Sequence, residues 1–203
     1  MRGGDALIHA LEKEGVEYIS GFAGGGEVPL WPALRASQSI KVFSSRHERM
    51  GVEIADGYAR ATGKVGVALT GTGPGATNTL TGIAGAYADN IPVLLLMGQH
   101  PLGSMGREIQ QEVPSSIFDS FVKWKGTFSR IEDIPATVRR AFTNLRSGSP
   151  GPVVLEMPMF SQTVWSVKRF SIEASMSAKV GFHSSKKART SACASAMLSL
   201  PER

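Results

Sequence analysis

An open α/β fold, a parallel β-sheet with helices on both faces, is the architecture this sequence predicts. Three observations predict it. Strand-like and helix-like patterns alternate through the first 160 residues. The runs VGVALTG (65–71), IPVLLLMG (91–98) and GPVVLEMP (151–158) are nearly continuous in apolar residues, as expected of strands covered on both faces. Glycine-rich turns stand between strand patterns and the helices that follow them.

Taken in order, Asp5 is placed to cap a helix running to about Glu14, with Leu7, Ala10 and Leu11 on one face and Gly15 as its stop. VEYIS (16–20) is a short strand. GFAGGG (21–26) is a loop that glycine alone can thread. A short helix follows over Val28–Arg35, then a strand in IKVFS (40–44). His47 to Thr62 has helical period. Met50, Ile54 and Tyr58 form its expected buried stripe, and Gly51, Ala55 and Ala59 a neighbouring stripe suited to close packing. Gly63 ends it. After the strand at 65–71, TGPGATN leads into a helix ending near Ala88, and the strand at 91–98 follows. Residues 99–115 are expected to be irregular, Phe118–Trp124 helical and Trp124–Ser129 a strand. Pro135–Leu145 is a helix with proline in its first turn, before the last strand at 151–158.

Past Phe160 neither period persists and serine becomes frequent. Residues 1–160 therefore read as one domain, and 161–203 as a poorly ordered extension or a stretch of non-native sequence. That extension holds seven basic and two acidic side chains, a balance equal to the +5 of all 203 residues. The body is neutral and offers no electrostatic footprint for nucleic acid. A single cysteine, Cys193, excludes an intrachain disulfide, and no zinc-ligand spacing occurs. The N-terminus lacks the pattern of a signal or transit peptide, and no apolar run nears the ~18 residues that span a bilayer. The expectation is a cytoplasmic protein without membrane contact.

In open α/β sheets, ligands bind outside the carboxyl ends of strands. Three stretches fall there: GFAGGG after the first strand, Arg46-His47-Glu48 after the second, and GTGPGATN (71–78) after the third. The last is neither a P-loop, for no Lys-Ser or Lys-Thr follows its glycines, nor a dinucleotide fingerprint, for its glycines are spaced G-x-G-x-G. On spacing alone it is either a tight strand-to-helix turn or a cradle at a helix N-terminus. Glu48 is either a solvated carboxylate in a first helical turn or a buried one aimed at a ligand. His47 suits a capping role, and Arg46 can pair with a carboxylate such as Asp56.

Taken together, RHE…ADGYARATGKVGVALTGTGPGATN, GIAGAYADNIPVLLLMGQ and RSGSPGPVVLEMP closely resemble the N-terminal pyrimidine-binding domain of thiamine diphosphate-dependent enzymes. Within that family they are most similar to acetolactate synthase large subunits and related 2-oxoacid decarboxylases and ligases. The resemblance covers residues 3–160 and keeps its order. It implies that Glu48 matches the glutamate that hydrogen-bonds N1′ of the aminopyrimidine ring, which makes the 4′-nitrogen the base for the thiazolium C2 proton. Thr70, Pro74 and Gly75 match positions packing on the pyrimidine, and Asn78 matches the start of the helix behind it. Gln111 matches a glutamine facing the reacting carbon. Gly24 and Gly25 match a loop over the thiazolium side.

The sequence also departs from the family pattern. Phe22 and Ala23 replace tyrosine and proline of a Tyr-Pro-Gly-Gly loop, and Gln110 replaces a phenylalanine, which bears on substrate choice. No Gly-Asp-Gly stretch occurs to hold Mg²⁺ and the diphosphate. The resemblance therefore implies Mg²⁺ only through a partner domain. It implies no FAD here, although full-length relatives can carry it. It further implies a diphosphate-binding domain or subunit in trans, oligomeric contact through the pyrimidine-domain face, and a 2-oxoacid substrate. A truncated enzyme, a natural subunit of a split decarboxylase such as a sulfopyruvate decarboxylase, and an inactive pairing module are the readings it leaves open.

Overall fold

The computed structural model describes residues 2–22, 24, 30–101, 107 and 112–158. The proposed boundary at residue 160, the extension beyond it, Ala23, Gly25, Gln110 and Gln111 lie outside the described residues. The elements, in order, are α1 (Gly3–Lys13), β1 (Tyr18–Gly21), α2 (Trp31–Ala36), β2 (Lys41–Ser44), α3 (Glu48–Thr62), β3 (Gly66–Thr70), α4 (Pro74–Ala88), β4 (Val93–Gln99), a 3₁₀ turn at Ser115–Phe118, β5 (Trp124–Thr127), a second 3₁₀ turn at Ile131–Asp133, α5 (Ile134–Arg146) and β6 (Val153–Pro158).

The six strands form one sheet in the order β2-β1-β3-β4-β6-β5, every pairing parallel. The predicted fold class holds. The two-residue period of each central strand divides its side chains between two cores. Leu94, Leu96, Val153 and Leu155 join α1, α2 and α5 on one face. Val93, Leu95, Met97 and Val154 join α3, α4 and the first 3₁₀ turn on the other. β1 lies between β2 and β3. The β1–β2 connection carries α2 to the first core, and the β2–β3 connection carries α3 to the second. Strand order reverses at β1/β3, so a crevice opens at the carboxyl ends of these strands.

Three expectations are corrected. Asp5 is not the cap residue of α1: Arg2 is, and Asp5 takes part in a capping box from the first turn, its carboxylate accepting from the Arg2 backbone N–H at 3.1 Å. No helix forms over Phe118–Trp124. The chain turns at Ser115–Phe118, the Phe121 N–H reaches the Phe118 carbonyl at 2.8 Å, and Lys123 already bonds to Pro152 at the sheet edge. The buried stripe of α3 is the small-residue one. Gly51, Val52, Ala55 and Ala59 are buried, whereas Met50 and Ile54 are exposed and Tyr58 is half-buried. The reason is the closeness of the backbones. A Cβ on Gly66 would lie 2.0 Å from the Ala55 carbonyl oxygen, and one on Gly82 would lie 2.7 Å from Val52 Cγ1. At such spacing only small side chains fit between helix and sheet.

Candidate functional site

The start of α3 is fixed by the end of β1. The Ser45 N–H donates to the Gly21 carbonyl at 2.7 Å, and Ser20 Oγ donates to the Gly51 carbonyl at 2.6 Å. A Cβ on Gly51 would lie 2.9 Å from Gly21 Cα, so helix and strand meet backbone to backbone. His47 is the cap residue, as its position suggests: its Nδ1 accepts from the Arg49 N–H at 3.2 Å. Arg46 does not take Asp56, which is bound instead by Arg60 Nε at 2.7 Å. Glu48 is thereby set in the first turn of α3, half-buried, where the helix dipole favours its negative charge.

The start of α4 is shaped by Gly73, whose φ of 59° lies in the left-handed region, and by Pro74 in the first turn. Its second residue, Gly75, faces the carboxylate. A Cβ there would stand 3.1 Å from Thr70 Oγ1 and 3.7 Å from Glu48 Oε1. One turn further along, Asn78 Nδ2 donates to Glu48 Oε2 at 3.0 Å. The Thr70 side chain is fully buried, and its Oγ1 has no hydrogen-bond partner among the described residues. The structure thus brings Glu48, Thr70, Gly75 and Asn78 to one place. Pro74 is exposed at the edge of the same turn, and Gly24 is half-buried just past β1. Gly25 and Gln111 lie outside the described residues. No group of three His, Cys, Asp or Glu among the described residues is arranged to hold a metal. No helix among them is long and apolar enough to cross a membrane.

This arrangement has a half-buried carboxylate with one oxygen held by an amide, a wall lacking a side chain, and a buried hydroxyl with no partner among the described residues. A carboxylate with one oxygen held by Asn78 and the other turned to Gly75 can accept a hydrogen bond from a donor laid against that glycine.

A sequence model described as "Thiamine pyrophosphate enzyme, N-terminal TPP binding domain" matches residues 1–119. The chain belongs to the thiamine pyrophosphate enzyme family. Its similarity to individual members extends further. A probable acetolactate synthase large subunit of Methanocaldococcus jannaschii is 43% identical over 159 residues, 78% of this chain and 27% of that protein. The acetolactate synthase large subunit of Haemophilus influenzae is 40% identical over 78% of this chain and 28% of its own length. The chloroplastic acetolactate synthase 2 of Nicotiana tabacum is 42% identical over 77% and 24%. The chain spans about a quarter of the length of these relatives.

Sequence reasoning missed one polar cluster beside Glu48 and its neighbours. Gln99, Thr72, Ser115 and Glu156 form a hydrogen-bonded chain at the carboxyl ends of β3, β4 and β6. The signal available was a glutamine and a glutamate inside otherwise apolar strands, since such groups enter a core only when paired.

Proposed function

We propose that this chain is the pyrimidine-binding domain of a thiamine diphosphate-dependent 2-oxoacid decarboxylase or ligase of the acetolactate synthase kind. The observation that carries the proposal is the half-buried Glu48 carboxylate. Asn78 holds it at 3.0 Å, and it lies with the Thr70 hydroxyl, which has no partner among the described residues, around Gly75 at the sheet's switch point. When bound, thiamine diphosphate supplies the electron sink for decarboxylation. The chain's residues divide the remaining work. Glu48 holds a proton in common with the ring-edge nitrogen, and Asn78 keeps the carboxylate turned toward it. Thr70, Pro74 and Gly75 would pack the ring; by family resemblance Gly24 and Gly25 match the loop over the thiazolium side, and Gln111 matches the glutamine assigned to the substrate.

Mg²⁺ and the diphosphate fall to a further domain, on this polypeptide or on another chain, and FAD has no assigned place here. The exposed apolar side chains of Phe22, Met50 and Ile54 support a face covered by such a domain or by a second subunit. The test is exchange of the thiazolium C2 proton in D₂O, followed by NMR, in a complex reconstituted with a diphosphate-binding domain. Glu48→Gln should slow exchange by about 100-fold or more. Exchange at the wild-type rate would overturn the role given to Glu48.

A further inference from the structure

The cluster around Gln99 ties together segments that are far apart in sequence. Gln99 is the last residue of β4 and is 1% exposed. Its Nε2 donates to the Val113 carbonyl at 2.7 Å and to Glu156 Oε1 at 2.8 Å. Its Oε1 accepts from Thr72 Oγ1 at 2.9 Å. Glu156 Oε2 accepts in turn from Ser115 Oγ at 2.8 Å. Both amide protons and the amide oxygen of Gln99 are therefore engaged. The amide cannot be reversed, for its oxygen would then face a carbonyl and a carboxylate. A glutamate in its place would meet the same repulsion.

These partners are distributed in a particular way. Thr72 sits in the glycine loop after β3, between Thr70 and the Pro74-Gly75 turn that walls the Glu48 site. Val113 and Ser115 belong to the segment entering the first 3₁₀ turn, two residues beyond Gln111 in the chain. Glu48 itself is held separately, from α3 and by Asn78. A side chain that merely filled the core would need no bonds directed at two loops on the ligand-binding end of the sheet.

We infer that Gln99 is a positioning residue for the thiamine site, setting the glycine-loop wall and the Val113 segment in one register. The inference rests on the proposed function and leaves Glu48 untouched. Two variants test it. Gln99→Met keeps length and volume but breaks every tie. Thr72→Val keeps shape and removes the hydroxyl that donates to Gln99 from the glycine loop.

Hydrogen–deuterium exchange on the 203-residue chain, read by mass spectrometry, supplies the first readout. In Gln99→Met, exchange should quicken about tenfold in peptides covering 71–75 and 112–118 together, with β3 and α3 unchanged. In Thr72→Val it should quicken in 71–75 alone. A uniform rise across the sheet, no rise in either loop, or a rise in both loops for Thr72→Val would overturn the coupling. The second readout is thiamine diphosphate affinity in the reconstituted complex, which should fall at least about fivefold in both variants. Unchanged affinity despite faster loop exchange overturns the positioning role. No saturable binding by the wild-type complex overturns the functional reading, and the site role of Gln99 with it. The exchange data decide the coupling separately.

Discussion

Asn78 and Glu48 come from different helices, and their side chains meet at 3.0 Å where the N-termini of α4 and α3 converge. The bond uses one carboxylate oxygen and leaves the other, Oε1, directed at Gly75. Asn78→Asp would replace this donor with a second negative charge. It should lower stability at pH 7 by about 1 kcal/mol, a modest figure because both groups are only half-buried. Urea unfolding of the two proteins at pH 7 checks this.

Thr70 gives the opposite sign. Its buried Oγ1 is without a partner among the described residues, so the fold carries the cost of desolvating it. Thr70→Val, of nearly equal shape, should stabilise the chain by about 1 kcal/mol and weaken thiamine diphosphate binding in the reconstituted complex. Thermal unfolding and a binding titration together check both halves.

The glycines separate by what surrounds them. Gly57 and Gly85 lie inside α3 and α4 with open space where a Cβ would be. Alanine at either should stabilise by about 0.5–1 kcal/mol. Gly66→Ala would set a methyl 2.0 Å from the Ala55 carbonyl oxygen. It should cost about 3 kcal/mol or more, since helix backbone has to move. Denaturant midpoints of the three variants give the ranking.

Acid sensitivity should have a local source in α1. Hydrogen bonds from Ser37 and Ser39 to Glu12 Oε1, at 2.6 and 2.9 Å, hold the Glu12 carboxyl below its ordinary value near 4.5. A carboxyl lowered in the folded state contributes stability that is present above 4.5 and is lost as the pH falls through the lower folded value. Glu12→Gln should therefore flatten the fall in stability between about pH 5 and 3. Denaturant midpoints measured across that range test it.

The central strands were legible because β3, β4 and β6 are buried on both faces and their apolar character is nearly unbroken. Glu48 and the Thr70–Asn78 turn were legible as a family motif; their spacing alone left a solvated helix start and a simple turn in contention. The face of α3 was misread for a physical reason. Met50 and Ile54 have the size usually found inside, but the helix lies so close to β1 and β3 that size is what excludes them. Gln99 and Glu156 could not be paired from sequence, because the bond between them spans 57 positions and follows only from strand order.

That strand order also has a consequence for synthesis. β6 lies between β4 and β5 and is, among the described residues, the one strand to which β5 bonds. A ribosome delivers β4 and β5 before β6. Until Val153–Pro158 emerges, the nascent chain carries VLLLMGQ with one edge open, and Trp124–Thr127 has no strand to join. A translational pause before Val153 would hold the fully buried strand β4 in that state. The same delay leaves Gln99 without Glu156, so the glycine-loop wall beside Glu48 is among the last parts of the domain to set.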